Sequence, residues 1–179
     1  MNEIELVTAL QKGDAKAQRL FYERFASPMM GVCVRYLKNQ MDAEEVLING
    51  FMKVFQNVSR FEQKGSFEGW VRRIMVNEAL QYLRKQEPLH LAIERDHIQV
   101  ASESASADSD MSAEEMMQLL HELPAGYRAV FNLYAIEGYS HKEIADMLDI
   151  SEGTSKSQLS KARAMLQRLL AQQGVMIAI

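Results

Sequence analysis

Apolar residues return every three or four positions along almost the whole chain, the period of helices with one buried face. Ile4, Leu6, Val7 and Leu10 mark a short first helix over 3–11. Asp14 suits an N-cap, and Ala17, Leu20, Phe21, Arg24 and Phe25 line one side of a second helix ending near Phe25. Ser27 and Pro28 then predict a restart, because proline fits a first turn whose N–H groups have no intrahelical partner. Met29, Val32, Cys33, Tyr36 and Leu37 continue as a buried stripe. Asp42 and Glu45 have capping-box spacing and open the next helix. Its inward face is Leu47, Phe51, Val54, Phe55 and Val58. Its outward face, Glu44, Glu45, Asn49, Lys53 and Gln56, reads on spacing alone as solvated surface. A loop over 60–66 leads to a helix over 67–86. There Phe67, Trp70, Val71 and Ile74 share a side that places Trp70 in the core, while Arg73, Asn77, Gln81 and Arg84 share another.

The pattern then lapses. Residues 87–111 are polar, acidic and poor in aromatics, so they bury too little apolar surface to offset their ordering entropy. They read as a flexible linker, with 89–93 the part suited to docking. Beyond it, Ser112 and Glu115 cap a helix carrying Met116, Leu119 and Leu120 inward, and Leu123-Pro124 interrupts it. A further helix over 125–137 supplies Tyr127, Val130, Phe131, Leu133 and Tyr134 to a core, and Gly138 suits the left-handed position after its end. Ser140 and Glu143 repeat the capping-box spacing ahead of a short helix with Ile144, Ala145, Leu148 and then Ile150 on one stripe. A break over 149–153, containing Gly153, precedes a longer helix starting near Thr154. Two helices joined by a tight glycine-containing turn form a helix-turn-helix, whose second helix can enter the DNA major groove. The last six residues, 174–179, are apolar and uncapped.

The fold class that follows is all-α: two small helical domains joined by a flexible acidic linker, the second a four-helix domain with a helix-turn-helix. The divisions are 1–86, 87–111 and 112–179. Three prolines and nine glycines in 179 residues agree with helix nearly throughout. The single Cys33 excludes an internal disulfide and reads as a core thiol. His90, His97, His121 and His141 are scattered, no metal-ligand spacing is present, and no nucleophile–base set or glycine-rich phosphate loop marks an enzyme or a cofactor site. The N-terminus lacks the basic start and apolar run of a signal peptide, and no stretch approaches the ~20 apolar residues of a membrane span. The expectation is a cytoplasmic protein without membrane insertion.

A formal net charge of −4 argues against a nucleic-acid partner until its distribution is read. Residues 87–115 hold eight acids against Arg95 alone, net −7, which leaves the remainder at +3. From 154 to 170 the charged residues are Lys156, Lys161, Arg163 and Arg168, all basic. From 70 to 86 they are Arg72, Arg73, Arg84 and Lys85 against Glu78. A basic, amide-bearing stripe beside aromatic rings suits single-stranded nucleic acid, where cations hold phosphates and rings stack on bases; an ordinary amphipathic helix is the equal alternative.

The stretch over 120–166, LxxLPxxYRxVFxLYxIEGYSHKEIAxMLxISEGTSKSQLSKARxML, resembles region four of the sigma-70 family of sigma factors, especially its extracytoplasmic-function (ECF) group. DAEEVLINGFMKVFQNVSRF, residues 42–61, resembles the region-two helix that binds core polymerase. FEGWVRRIMVNEALQYLRKQ, residues 67–86, resembles the helix for promoter melting and minus-ten recognition. The resemblance spans residues 4–170 in the family's order. It implies a sigma factor that directs core RNA polymerase to promoters and initiates transcription, with the chemistry left to the polymerase. It implies as partners promoter DNA, the clamp helices of the largest polymerase subunit and the flap, with an anti-sigma factor as a further partner common in the group. On this resemblance Asp42, Glu44, Glu45, Asn49, Phe51, Lys53, Val54 and Phe55 fall on the core-binding helix. Glu62, Lys64 and Ser66, with Arg73, Asn77, Gln81, Arg84 and Lys85, would engage the unwound minus-ten strand. Thr154, Lys156, Ser157, Ser160 and Lys161 occupy the major-groove positions for the minus-35 element, with Gln158 and Arg163 as phosphate contacts. Family members often carry arginine at the positions of Lys156 and Gln158 and a larger residue at that of Ser160. Lysine lacks the rigid fork that reads guanine bidentately, so modest intrinsic affinity for the minus-35 element is expected. The competing expectation is a self-sufficient helix-turn-helix regulator binding an operator as a dimer.

Overall fold

Side-chain caps decide where most helices begin. The computed structural model describes residues 1–86 and 112–173; the expected linker and the apolar tail lie outside them. The chain divides into two compact units, Met1–Tyr82 and Leu83–Ile179. In the first, α1 (Glu3–Gln11) opens on a capping box: the Asn2 side chain accepts from the Glu5 N–H, and the Glu5 carboxylate accepts from the Asn2 N–H, each at 2.9 Å. Asp14 accepts from the Ala17 N–H and starts α2 (Ala15–Tyr36).

Helix α2 runs straight through Pro28, where the sequence predicts a break. An interior proline loses one hydrogen bond and costs about 3 kcal/mol. Phe21 and Phe25 before it, and Met29, Val32 and Cys33 after it, are all buried on one continuous face. Each such side chain contributes about 1.5–3 kcal/mol on burial, so the uninterrupted face outweighs the proline. Helix α3 (Gln40–Asn57) also departs from expectation. Its cap is Asn39, which accepts from the Met41 N–H at 2.8 Å, so Asp42 sits in the first turn, where its negative charge complements the positive end of the helix dipole instead of capping. A 3-10 turn (Val58–Arg60) and a loop lead to α4 (Phe67–Gln86), started by Ser66 Oγ accepting from the Gly69 N–H.

The core of this unit gathers around Phe21, fully buried, with the rings of Phe25, Phe51, Phe55 and Phe67 4.9, 5.0, 5.2 and 6.0 Å away. Trp70 is half-buried rather than core: it stacks on Phe67 at 5.7 Å and leaves part of its ring in solvent. Helices α3 and α4 approach so closely at Gly50 that a Cβ there would collide with Met75. Cys33 is buried as expected, and burial pushes its thiol up to about 12.

In the second unit, α5 (Ala113–Glu122) has the expected capping box between Ser112 and Glu115. The helix expected over 125–137 is α6 (Ala125–Phe131) followed by a π-helical turn (Asn132–Ile136), closed by the Glu137 N–H donating to the Asn132 carbonyl at 2.9 Å. Gly138, at φ +79°, takes the left-handed position. Buried Arg128 donates to the Leu123 carbonyl at 2.9 Å, satisfying the end of α5. Then come α7 (His141–Leu148), capped by Ser140, and α8 (Glu152–Gln172), capped by Ser151. The turn between them rests on Asp149, at φ +56°, and not on glycine. Aspartate is among the few non-glycine residues that tolerate this region. Gly153 lies inside the first turn of α8, which therefore starts before Thr154.

Candidate nucleic-acid interface

On α4, the three- and four-residue spacing that brings Arg73, Asn77, Gln81 and Arg84 onto one side also leaves them exposed, with Lys85. Glu62, Lys64 and Ser66, in the loop before the helix, are exposed too. That loop holds Gln63 at φ +56° and Gly65 at φ +86°, and the Lys64 ammonium meets the Glu62 carboxylate at 2.6 Å. The result is a cationic, amide-bearing face flanked by a kinked polar loop and the partly solvent-facing ring of Trp70. Such a face can hold a phosphate backbone and stack an unpaired base.

Helix α3 divides the residues that the resemblance assigns to core binding. Glu44, Glu45 and Asn49 are exposed, and Asp42 is half-buried. Phe51 at 4% exposure and Val54 at 0% are core residues. Both lie on the inward face that their spacing predicts, Phe51 with its ring on Phe21, so on the core-binding helix they support the outer face from beneath. Phe55 is intermediate, with its ring on Phe21. Lys53 turns its ammonium to α4, where it donates to the Glu78 carboxylate and, at 3.2 Å, to Gln81 Oε1. What does face outward, beyond the expected polar residues, is apolar: Met41 at 77%, Ile48 at 61% and Met52 at 53% exposure. Their i, i+7, i+11 spacing was legible as one face, but it lies outside the buried stripe and carries no charge to draw attention.

In the second unit, Lys156, Ser157 and Ser160 are exposed on one side of α8, with Lys161 half-buried beside them. Glu152, one turn earlier, pairs with Lys156 at 2.8 Å; the hydrogen bond from Lys156 holds the Glu152 carboxyl below the usual range. Thr154 is half-buried, its hydroxyl 2.8 Å from Ser151 Oγ at the helix start. Gln158, expected as a phosphate contact, is 2% exposed and belongs to the interior. It follows Ser155 by three residues and precedes Leu159 by one, and all three are buried. The Arg163 guanidinium lies 5.8 Å over the Tyr134 ring and is half-buried. His141, read from its sequence position as one of four scattered surface or linker histidines, joins the two helices of the motif: its Nδ1 is 2.9 Å from Ser155 Oγ, and its ring stacks on Tyr134 at 4.5 Å. Among the described residues no group of His, Cys, Asp and Glu could hold a metal ion, and no helix is long and apolar enough to cross a membrane.

Comparison with known proteins gives the family of both units. Residues 21–88 match the family model for sigma-70 region 2, and residues 113–166 match that for sigma-70 region 4. The ECF RNA polymerase sigma-E factor of Haemophilus influenzae is 29% identical over 174 residues, covering 90% of this chain and 92% of that protein. The sigma-E factor of Escherichia coli K12 is 29% identical over 170 residues, covering 88% of each. The ECF sigma factor SigE of Mycolicibacterium smegmatis is 34% identical over 139 residues, covering 74% of this chain and 53% of that protein. Among solved structures, CnrH in complex with the cytosolic domain of CnrY aligns with a TM-score of 0.54 at 21% identity, over 95% of this chain and 97% of that one. RpoE bound to the anti-sigma factor NepR from Bartonella quintana aligns with a TM-score of 0.55 at 23% identity, over 86% and 96%. At these identities the two structures speak for the fold.

Proposed function

The chain belongs to the ECF group of the sigma-70 family of RNA polymerase sigma factors, and from that membership we infer how its faces divide the work of initiation. As a sigma factor it directs core polymerase to promoters and starts transcription there. Helices α3 and α4, with the loop before α4, carry two tasks. Exposed Glu44, Glu45 and Asn49, widened by the apolar Met41, Ile48 and Met52, form the core-polymerase face toward the clamp helices of the largest subunit. A polar rim around an apolar centre is the usual make-up of a protein interface. Arg73, Asn77, Gln81, Arg84 and Lys85, with the loop residues Glu62, Lys64 and Ser66, hold the opened minus-ten strand. Capturing an unpaired base costs a few kcal/mol of unstacking, which the polymerase contacts and the phosphate-binding cations offset.

The second unit anchors the complex upstream. Lys156, Ser157, Ser160 and Lys161 face the major groove of the minus-35 element, Arg163 lies toward the backbone, and the unit also meets the flap. Short side chains and a lysine already paired with Glu152 make this a weak reader, dependent on the polymerase for its hold. An anti-sigma factor is a further partner expected of the group. The exposed cation-and-amide face of α4 carries this reading, because a self-sufficient operator-binding dimer has no use for it.

Run-off transcription tests it. Adding the purified chain to bacterial core polymerase on a broad genomic template set is expected to yield discrete promoter-specific transcripts. Arg73→Ala with Asn77→Ala is expected to abolish them while core binding persists. Ile48→Asp with Met52→Asp is expected to abolish core binding itself. Absence of any added transcript refutes the assignment, and transcripts unaffected by the α4 double variant refute the strand-binding role of that face.

A further inference from the structure

Glu78 is the one acid among the cations of the α4 face, and three residues separate it from Gln81. Its side chain is 12% exposed and would repel phosphate if left bare. Lys53 covers it from α3 and reaches on to Gln81 Oε1 at 3.2 Å. Lysine is donor-only, so the Gln81 atom facing it must be the carbonyl oxygen. A planar amide fixed at its oxygen has its NH₂ at the other terminus, and among the described residues nothing else engages that group.

We propose that Lys53 is a positioning residue: anchored by Glu78, it holds the Gln81 amide oxygen-inward, so that Gln81 presents a hydrogen-bond donor to one base of the unwound minus-ten strand. A glutamine free to rotate reads adenine bidentately, donating to N7 and accepting from the exocyclic amine. With its oxygen held by Lys53, that bidentate mode is disfavoured. A base offering a carbonyl acceptor, such as thymine, is preferred instead. The cross-helix pair also ties α3, which faces the polymerase, to the base-reading side of α4. The proposal rests on α4 being the strand-binding helix.

The test selects minus-ten sequences from a randomised promoter library with holoenzyme made from the full chain and bacterial core polymerase. The variants are Gln81→Ala, Lys53→Met, Lys53→Arg and the double variant Lys53→Met/Glu78→Gln; Trp70 emission checks that each is folded. Gln81→Ala is expected to erase preference at one position. Lys53→Met is expected to shift preference at that same position toward adenine by roughly fivefold or more, the scale of one base contact. Lys53→Arg, which keeps a donor, is expected to retain the original preference. The double variant, with no unpaired carboxylate left behind, is expected to match Lys53→Met. Lys53→Met keeping the wild-type preference overturns the proposal, as does the double variant restoring it. Gln81→Ala leaving every position unchanged overturns instead the strand-binding reading of Gln81. A wild-type holoenzyme that enriches no sequence overturns the assignment of the chain as a promoter factor.

Discussion

Replacing Phe21 by alanine should come close to unfolding the first unit. Phe21 is fully buried and touches four rings, three of them edge-on. Phenylalanine truncation in such a core costs about 3–5 kcal/mol, including the cavity left behind. A unit of 82 residues (Met1–Tyr82) has roughly 4–12 kcal/mol in all, at ~0.05–0.15 kcal/mol per residue. Leucine keeps most of the apolar volume and loses mainly the ring–ring geometry, each pair about 0.5–1.5 kcal/mol and not additive, so Phe21→Leu should cost about 1–2 kcal/mol. Trp70 is the chain's only tryptophan and lies against Phe67 and Phe61, so its emission reports this unit alone. In urea titration the Trp70 midpoint should fall by roughly 2–3 M for Phe21→Ala, at an m-value of about 1.5 kcal/mol/M, with the slope unchanged. The circular-dichroism signal that Trp70 does not follow should not move. A loss under about 1 kcal/mol, or equal losses for the two variants, would show that the rings do not carry the unit.

Other expectations follow from the second unit. Ser140→Ala removes the cap of α7 and should cost about 0.5–2 kcal/mol by thermal melting, with the Trp70 transition unmoved. Arg128→Met strands the Leu123 carbonyl at the end of α5 and should cost about 1–3 kcal/mol; a neutral outcome would mean that water reaches that carbonyl. The backbone hydrogen bond from Ser112 holds the Glu115 carboxyl below its ordinary range. The folded state therefore binds fewer protons than the unfolded one in that window. Its contribution is complete above the ordinary glutamate range and is lost as pH falls toward the depressed value. Glu115→Gln should flatten that acid limb, and an unchanged limb would remove the capping box from the account. Glu152→Gln frees the Lys156 ammonium for a base edge in the major groove. It should tighten holoenzyme binding to promoter DNA by about 1 kcal/mol, roughly fivefold, and an unchanged affinity would mean that Lys156 meets no base.

The helices were legible where the local signal and the packing agreed. Ser112, Ser140 and Asp14 cap where their spacing says, because a cap is decided within four residues. Pro28 misled because its local cost is smaller than the burial of Phe21, Phe25, Met29, Val32 and Cys33 along one face, a sum no window around the proline contains. Asn39 displaced Asp42 as the cap because its side chain takes the Met41 N–H and starts α3 three residues earlier, which brings Asp42 inside the first turn. The α4 stripe was readable from spacing and charge together. Gln158 was not, since a glutamine in a basic helix resembles a phosphate contact until the burial of Ser155 and Leu159 shows which side is inward. Lys53 was placed on the right helix, but its cross-helix bonds to Glu78 and Gln81 depend on a register between α3 and α4 set at Gly50.

The π-helical turn at Asn132–Ile136 makes the reading head sensitive to chain phase. Its closing ring spans five residues where an α-turn spans four, so it holds one residue more than a regular helix would. Deleting exposed Ala135 could restore an ordinary helix at little local cost, yet everything after it would rotate by about 100°, the angle of one helical residue. His141 would leave the Tyr134 ring, and Lys156 with Ser160 would swing off their bearing. A one-residue deletion there changes no recognition residue, and it should retune or silence upstream recognition as surely as a substitution within it.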